Sequence, residues 1–192
     1  MTSLTAEDAE ALYEMALRFD TERKHLSFPE YHGRLPNLVE VSQRLSGLGE
    51  LLTEVSDEVL FRATAPEQTE SQRQTVGVFT AAAAHVRQAI RLVSDAHYHL
   101  AVPQGTVGGP DAPDRAESAT VAGERLDEAR LAILTGGFLL HRAAEQQSLL
   151  SSRAARSRSA LPGLPRSSGQ ASAARPAHSP APASSPTSRH RR

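Results

Sequence analysis

Residues 38–59 read LVEVSQRLSGLGELLTEVSDEV, and in them Leu38, Val41, Leu45, Leu48, Leu52, Val55 and Val59 recur at alternating steps of three and four. A repeat averaging 3.5 residues puts these side chains on one stripe of an α-helix, and a stripe of that length must be covered by other helices. The same steps appear on both sides of it. Val76, Phe79, Ala83, Val86, Ile90, Val93, His97 and Leu100 form a second seam, Leu12, Met15, Phe19 and Leu26 a shorter one. Ala119, Ala122, Leu126, Ala129, Ile133, Gly136, Leu140 and Ala143 form a fourth, built of smaller residues. No stretch alternates apolar and polar residues as a half-buried strand would. The fold expected is all-α, a four-helix up-down-up-down antiparallel bundle.

Helix starts are punctuated. Thr64-Ala-Pro-Glu67 and Asp111-Ala-Pro-Asp114 each supply a capping side chain, a proline in the first turn and an acid at the third helical position, where free amides and the helix dipole favour it. Asn37-Leu-Val-Glu40 and Thr5-Ala-Glu-Asp8 repeat the pattern without proline. These signals predict helices over 5–26, 37–63, 65–101 and 112–152. The connections 27–36 (SFPEYHGRLP) and 102–110 (VPQGTVGGP) carry Gly and Pro, and the turn at 63–66 is tight. Short connections make successive helices antiparallel.

The chain has 192 residues and a formal net charge of −1 that conceals a division. Residues 1–150 carry every acid and stand at −9, whereas residues 151–192 carry eight Arg, no acid, and stand at +8. Ser, Ala, Pro and Arg dominate 153–192, too little apolar surface to offset the entropy of ordering. The division expected is a helical bundle over 1–152 and a disordered basic tail over 153–192. Lys24 is the single lysine among 21 basic residues, which with abundant Ala fits a GC-rich genome and weakens any functional reading of Arg over Lys.

Several classes of chemistry find no footing. The sequence has no Cys, so neither a disulfide framework nor a thiolate metal site is available. It contains no Gly-x-Ser-x-Gly and no phosphate-cradling Gly-x-x-x-x-Gly-Lys. The acidic start, MTSLTAEDAEALYE, lacks the basic and then apolar layout of a secretory signal. The most apolar run, 131–140 (LAILTGGFLL), is half the roughly 20 residues that cross a bilayer. A cytoplasmic protein without a membrane partner is expected.

Histidines supply the candidate site. An antiparallel bundle brings Glu22, His25, His32, Asp95, His97, His99 and Glu117 towards one pole. Glu22-Arg-Lys-His25 has the Glu-x-x-His spacing of carboxylate-bridged metal bundles, and Glu22, His25, His97 and Glu117 are candidate ligands for zinc or iron. The pattern is incomplete: a second Glu-x-x-His is missing, with Phe138 standing where His141 would need a Glu, and Asp95-Ala-His97-Tyr-His99 has a step of two that splits its histidines between faces. Otherwise His97 is a partly buried seam residue satisfied by Glu117 or a backbone carbonyl. The pair Gly136-Gly137 costs about 1 kcal/mol per residue inside a helix. That cost implies close approach to a bulky residue such as Phe79, a kink, or a small apolar pocket lined by Ile133, Phe138 and Leu139. Acids such as Glu50, Glu54, Asp57, Glu124, Asp127 and Glu128 lie mainly off the seams and read as a solvated face.

In the tail, Arg153, Arg156, Arg158, Arg189, Arg191 and Arg192 can neutralise phosphates, and no aromatic residue stands among them to stack on bases. Binding of nucleic acid or another polyanion would therefore be non-specific and salt-sensitive. The function expected is a non-catalytic interaction or scaffolding protein, meeting a protein partner or its own copies through helix seams, with the tail as a weak electrostatic tether. A metal-dependent bundle enzyme is the alternative.

Overall fold

The structure, a computed structural model, describes residues 3–26, 36–101 and 115–159. They form four α-helices and no strand: α1 (Ser3–Leu26), α2 (Leu38–Ala63), α3 (Glu70–Ala101) and α4 (Arg115–Ser159). The connections 27–35 and 102–114, with the cap expected at Asp111, lie outside the described residues, as does 160–192.

Cross-helix contacts fix the directions. Asp8 meets Arg62, Arg18 meets Glu54 and Glu22 lies against Gly47, so α1 and α2 run oppositely. Ser42 meets His97 while Arg62 lies over Phe79, which makes α2 and α3 antiparallel. Ser71 bonds Gln147, and His85 approaches Gly136, giving the same relation between α3 and α4. Phe19 against Gly136 and the pocket joining Ala6 to Ser148 and Ser151 complete it between α4 and α1.

The core lies along the seams read from sequence in part: on α2 Leu38 is exposed, Leu45, Leu52 and Val59 are half-buried, and Leu51, off the seam, is fully buried. Leu12, Met15 and Phe19 of α1, Val41, Leu48 and Val55 of α2, Phe79, Val86 and Val93 of α3, and Leu126, Ile133 and Leu140 of α4 are all buried in one cluster. The structure adds a line that the 3.5-residue reading passed over: Thr75, Ala82, Ala89 and Ala96 of α3 are also buried. The reason is that α3 packs on both α2 and α4, so it buries a stripe wider than one seam. Ala122 and Ala129 of α4 are buried as well, and small residues on both helices permit a near approach.

Gly136 and Gly137 follow the same logic against α1. A Cβ on Gly136 would stand 2.5 Å from Cε1 of Phe19 and 3.2 Å from Cβ of His85, and one on Gly137 would stand 3.2 Å from Cβ of Phe19. The bulky partner is thus Phe19 and not Phe79, and its ring occupies the space where a pocket with Ile133 was considered. Phe138 points into solvent instead.

Caps are borne out at α2 and displaced at α3. Asn37 accepts from the amide of Glu40 at 2.9 Å, and the Glu40 carboxylate accepts from the amide of Asn37 at 2.9 Å, a complete capping box. The third helix starts at Glu70, not at 65. Thr69 caps it: its amide donates to Gln72 Oε1 at 2.9 Å and its hydroxyl accepts from the amide of Gln72 at 3.2 Å. Thr64, expected as that cap, ends α2 instead, with its hydroxyl donating to the carbonyl of Leu60 at 3.0 Å. Gln68 donates to the carbonyls of Arg62 and Ala63 at 3.1 and 2.9 Å, using acceptors that a helix end leaves open. At the other end, α4 continues past 152 to Ser159. Ala and Arg in SSRAARSRS favour a helix, and the first proline comes at Pro162. Arg153 and Arg156, read as tail, are therefore helical, and Arg158 lies in the same last turn.

Candidate functional site

Among the described residues, polar clusters containing charged side chains interrupt the apolar contacts at three places, each set by helix register. At the pole formed by the end of α1, His25 Nδ1 lies 3.5 Å from Glu22 Oε1. Glu22 is buried because its carboxylate rests on Gly47 of α2, where a Cβ would come within 3.0 Å of Oε2. The i, i+3 spacing thus puts both groups on one face, as read from sequence. His97 is half-buried and takes a different partner, with Nε2 3.2 Å from Oγ of Ser42 across the α2–α3 contact. Glu117 is exposed on the first turn of α4, where its charge complements the helix dipole. His32 lies outside the described residues. Of the four candidate ligands, Glu22 and His25 meet, while His97 and Glu117 take other surroundings. Among the described residues no three His, Asp or Glu side chains converge as a metal would require.

The second cluster is the α1–α2 contact, whose partners are largely charged. Arg62 is buried, with Nε 3.2 Å from Asp8 Oδ1 and with Glu58 paired to its Nη1. Its guanidinium also lies over Phe79, 5.0 Å from the ring centre, a cation–π contact that low dielectric strengthens. Nearer solvent, Arg18 donates to both carboxylate oxygens of Glu54 at 2.9 and 2.6 Å. That hydrogen bonding, and then the opposite charge, raises the Arg18 pKa above its ordinary value, so the guanidinium is charged wherever the protein is folded. A groove of about 570 Å³ opens beside this bridge, with Ala11 and Met15 in its lining.

The third cluster joins α1 to α4 and was not anticipated. His141 Nε2 lies 3.1 Å from Asp20 Oδ2, and the His141 ring meets Tyr13 edge-on at 5.7 Å. Beside them runs a groove of about 840 Å³ lined by Ala6, Ala9, Tyr13, Ala144 and Leu149, with Glu10 and Glu145 in its walls. An imidazole held by a carboxylate can exchange protons. The groove serines Ser148 and Ser151 stand seven or more residues along α4 from His141, about 10 Å or farther at 1.5 Å per residue. That is beyond the hydrogen-bond reach a base needs to activate a hydroxyl.

Sequence spacing can find Glu22–His25 because both lie on one turn. Asp20 and His141 are separated by 121 positions, and only the antiparallel pairing of α1 with α4 brings them together.

The helices also leave apolar side chains outside. On α4, Leu131, Leu134, Phe138 and Leu149 are exposed, and Tyr13 and Leu17 are exposed on α1. No helix among the described residues is long and apolar enough to cross a membrane. No family model, curated protein or solved structure matches this chain.

Proposed function

We propose that the protein is a non-catalytic interaction or scaffolding protein of the cytoplasm, an up-down-up-down four-helix bundle that offers the outer face of α4 to other protein. One observation carries this reading. Leu131, Phe138 and Leu149 are 61%, 62% and 60% exposed, and they lie on the side of α4 opposite Ala129, Ile133, Gly136 and Leu140. A helix that hides one apolar seam and carries a second line of exposed apolar residues has a surface left over from its own fold, and exposed apolar patches mark association. On α2 the seam residues Val41, Leu48 and Val55 are buried, while the exposed apolar residues Val39, Leu60 and Phe61 stand at the helix ends, so α4 is the helix whose exposed apolar residues extend along its middle.

Basic residues after 150 complete the proposal as an electrostatic tether for nucleic acid or another polyanion. The supporting fact is their composition, Arg without any acid, and such contacts weaken as salt rises.

The test is affinity capture from the native host with the parent and with Leu131→Asp/Phe138→Asp. Recovery of a partner by the parent and its loss with the variant is the expected result; equal recovery contradicts the assignment to α4. Elemental analysis bears on the same reading from the other side. Stoichiometric zinc or iron, lost on His25→Ala or His97→Ala, would replace it with metal chemistry. For the tether, deletion of 153–192 should abolish nucleic-acid retention at low salt, and retention that survives deletion contradicts it.

A further inference from the structure

We propose that the outer face of α4 pairs with the same face of a second copy of this chain, the two helices running antiparallel about a two-fold axis near residues 138–142. The inference rests on the interaction reading above and names its partner.

Charge along that face is the first argument. Glu124 and Asp127 stand at one end, Arg153 and Arg156 at the other, and all are exposed. Among the described residues none of the four makes an ion pair, although Arg125 and Glu128 on the adjacent side of the helix pair with each other at 2.8 Å. Read backwards, the face is complementary to itself. Asp127 of one copy then opposes Arg153 of the other, and Glu124 opposes Arg156, twice each by symmetry.

Apolar residues fall into the same register. Leu131 of one copy meets Leu149 of the other, and Phe138 meets the stem and guanidinium of Arg142, which also lacks an acidic partner among the described residues. Residues 124, 127, 131, 134, 138, 142, 145, 149, 153 and 156 follow the three-and-four spacing of a helix–helix seam, displaced around α4 from the buried set 122, 126, 129, 133, 136, 140, 144 and 147.

The overhang is the second argument. Ala6, one turn into α1, lies near Ser148 and Ser151, so the end of α4 at Ser159 runs past the start of α1. Residues 152–157 are exposed without exception. An exposed helical turn gains little from burial. In the pairing proposed here it lies along 121–127 of the second copy.

The chain has no cysteine, which makes the register directly testable on the full-length protein. In Leu131→Cys/Leu149→Cys the two sulfurs are about 27 Å apart along one helix, far beyond the reach of a disulfide within the chain. Mild oxidation at about 100 µM, above the micromolar end of affinities for such interfaces, should convert this variant to covalent dimer. Leu131→Cys alone should remain unlinked. The unmodified protein should sediment as a dimer that dissociates on dilution. Phe138→Asp should raise the dissociation constant at least about tenfold with its helical circular dichroism unchanged. Asp127→Arg should also weaken the dimer, and Asp127→Arg/Arg153→Asp should restore it. The proposal is overturned by a chain that stays monomeric to about 100 µM, by equal linkage of the single cysteine, or by a charge swap that restores nothing. Such a monomer leaves the interaction reading in place with a different protein on α4, whereas metal lost on His25→Ala removes that reading and leaves the dimer standing.

Discussion

Gly136 shows how a single residue is chosen by its neighbour. Its replacement by Ala gains about 1 kcal/mol of helix propensity, yet the new methyl would sit inside the Phe19 ring. Overpacking of this kind costs about 1–3 kcal/mol, and because ring and backbone are both held in the core, Gly136→Ala should lower stability in urea denaturation. Gly123, by contrast, has nothing within 4 Å of where a Cβ would stand, so Gly123→Ala should raise stability by about 0.5–1 kcal/mol. Arg62 poses the electrostatic version. Removing it in Arg62→Ala strands the buried Asp8 carboxylate, whose Oδ2 already lacks a hydrogen bond among the described residues, and should cost about 3–5 kcal/mol. Asp8→Leu/Arg62→Met removes both charges and should recover most of that loss; if the double variant is no better than the single one, the burden lies in packing against Phe79 instead. Sequence showed that the two glycines needed compensation. It could not show that Phe19 supplies it, because which side chain faces position 136 depends on how α1 is rotated about its axis.

At the scale of elements, what can be read from the chain is what local geometry decides. The seam of 38–59 and the Asn37–Glu40 box were legible because period and cap are written within one or two turns. Thr64-Ala-Pro-Glu67 misled for a definite reason: a threonine beside an open helix end can serve either neighbour, and here it closes α2 while Thr69 and Gln72 open α3. Asn37→Ala and Thr69→Ala should therefore each cost about 1 kcal/mol in chemical denaturation. Glu67→Gln should change little, because Glu67 precedes α3 rather than standing at its third position. The buried line Ala82, Ala89 and Ala96 escaped notice because alanine marks no face of a helix until a neighbour covers it. Glu22 and His25 share a turn and were legible as a pair. Asp20–His141 was not, since both residues are ordinary on their own helices.

For the whole molecule, exposed apolar side chains occur on every helix, with Phe61 and Val39 of α2 and Tyr98 of α3 among them, and those of α4 run along its outer side. Acids dominate the body, while arginines mark the overhang of α4 and continue into 160–192, so the surface charge is polarised from one end of α4 to the other. The fold buries one face of each helix, a broader one on α3, and the association proposed here depends on α4 having a second. That two-sidedness is tested most directly by thermal unfolding in dilute solution, followed by circular dichroism, of Phe138→Asp beside Ile133→Asp. The outer substitution should shift Tm by less than about 2 °C, and the inner one, burying an unpaired charge among Phe19-facing core residues, should lower it by about 10 °C or prevent folding. Equal losses from both would mean that Phe138 is part of the core and that α4 has no free face.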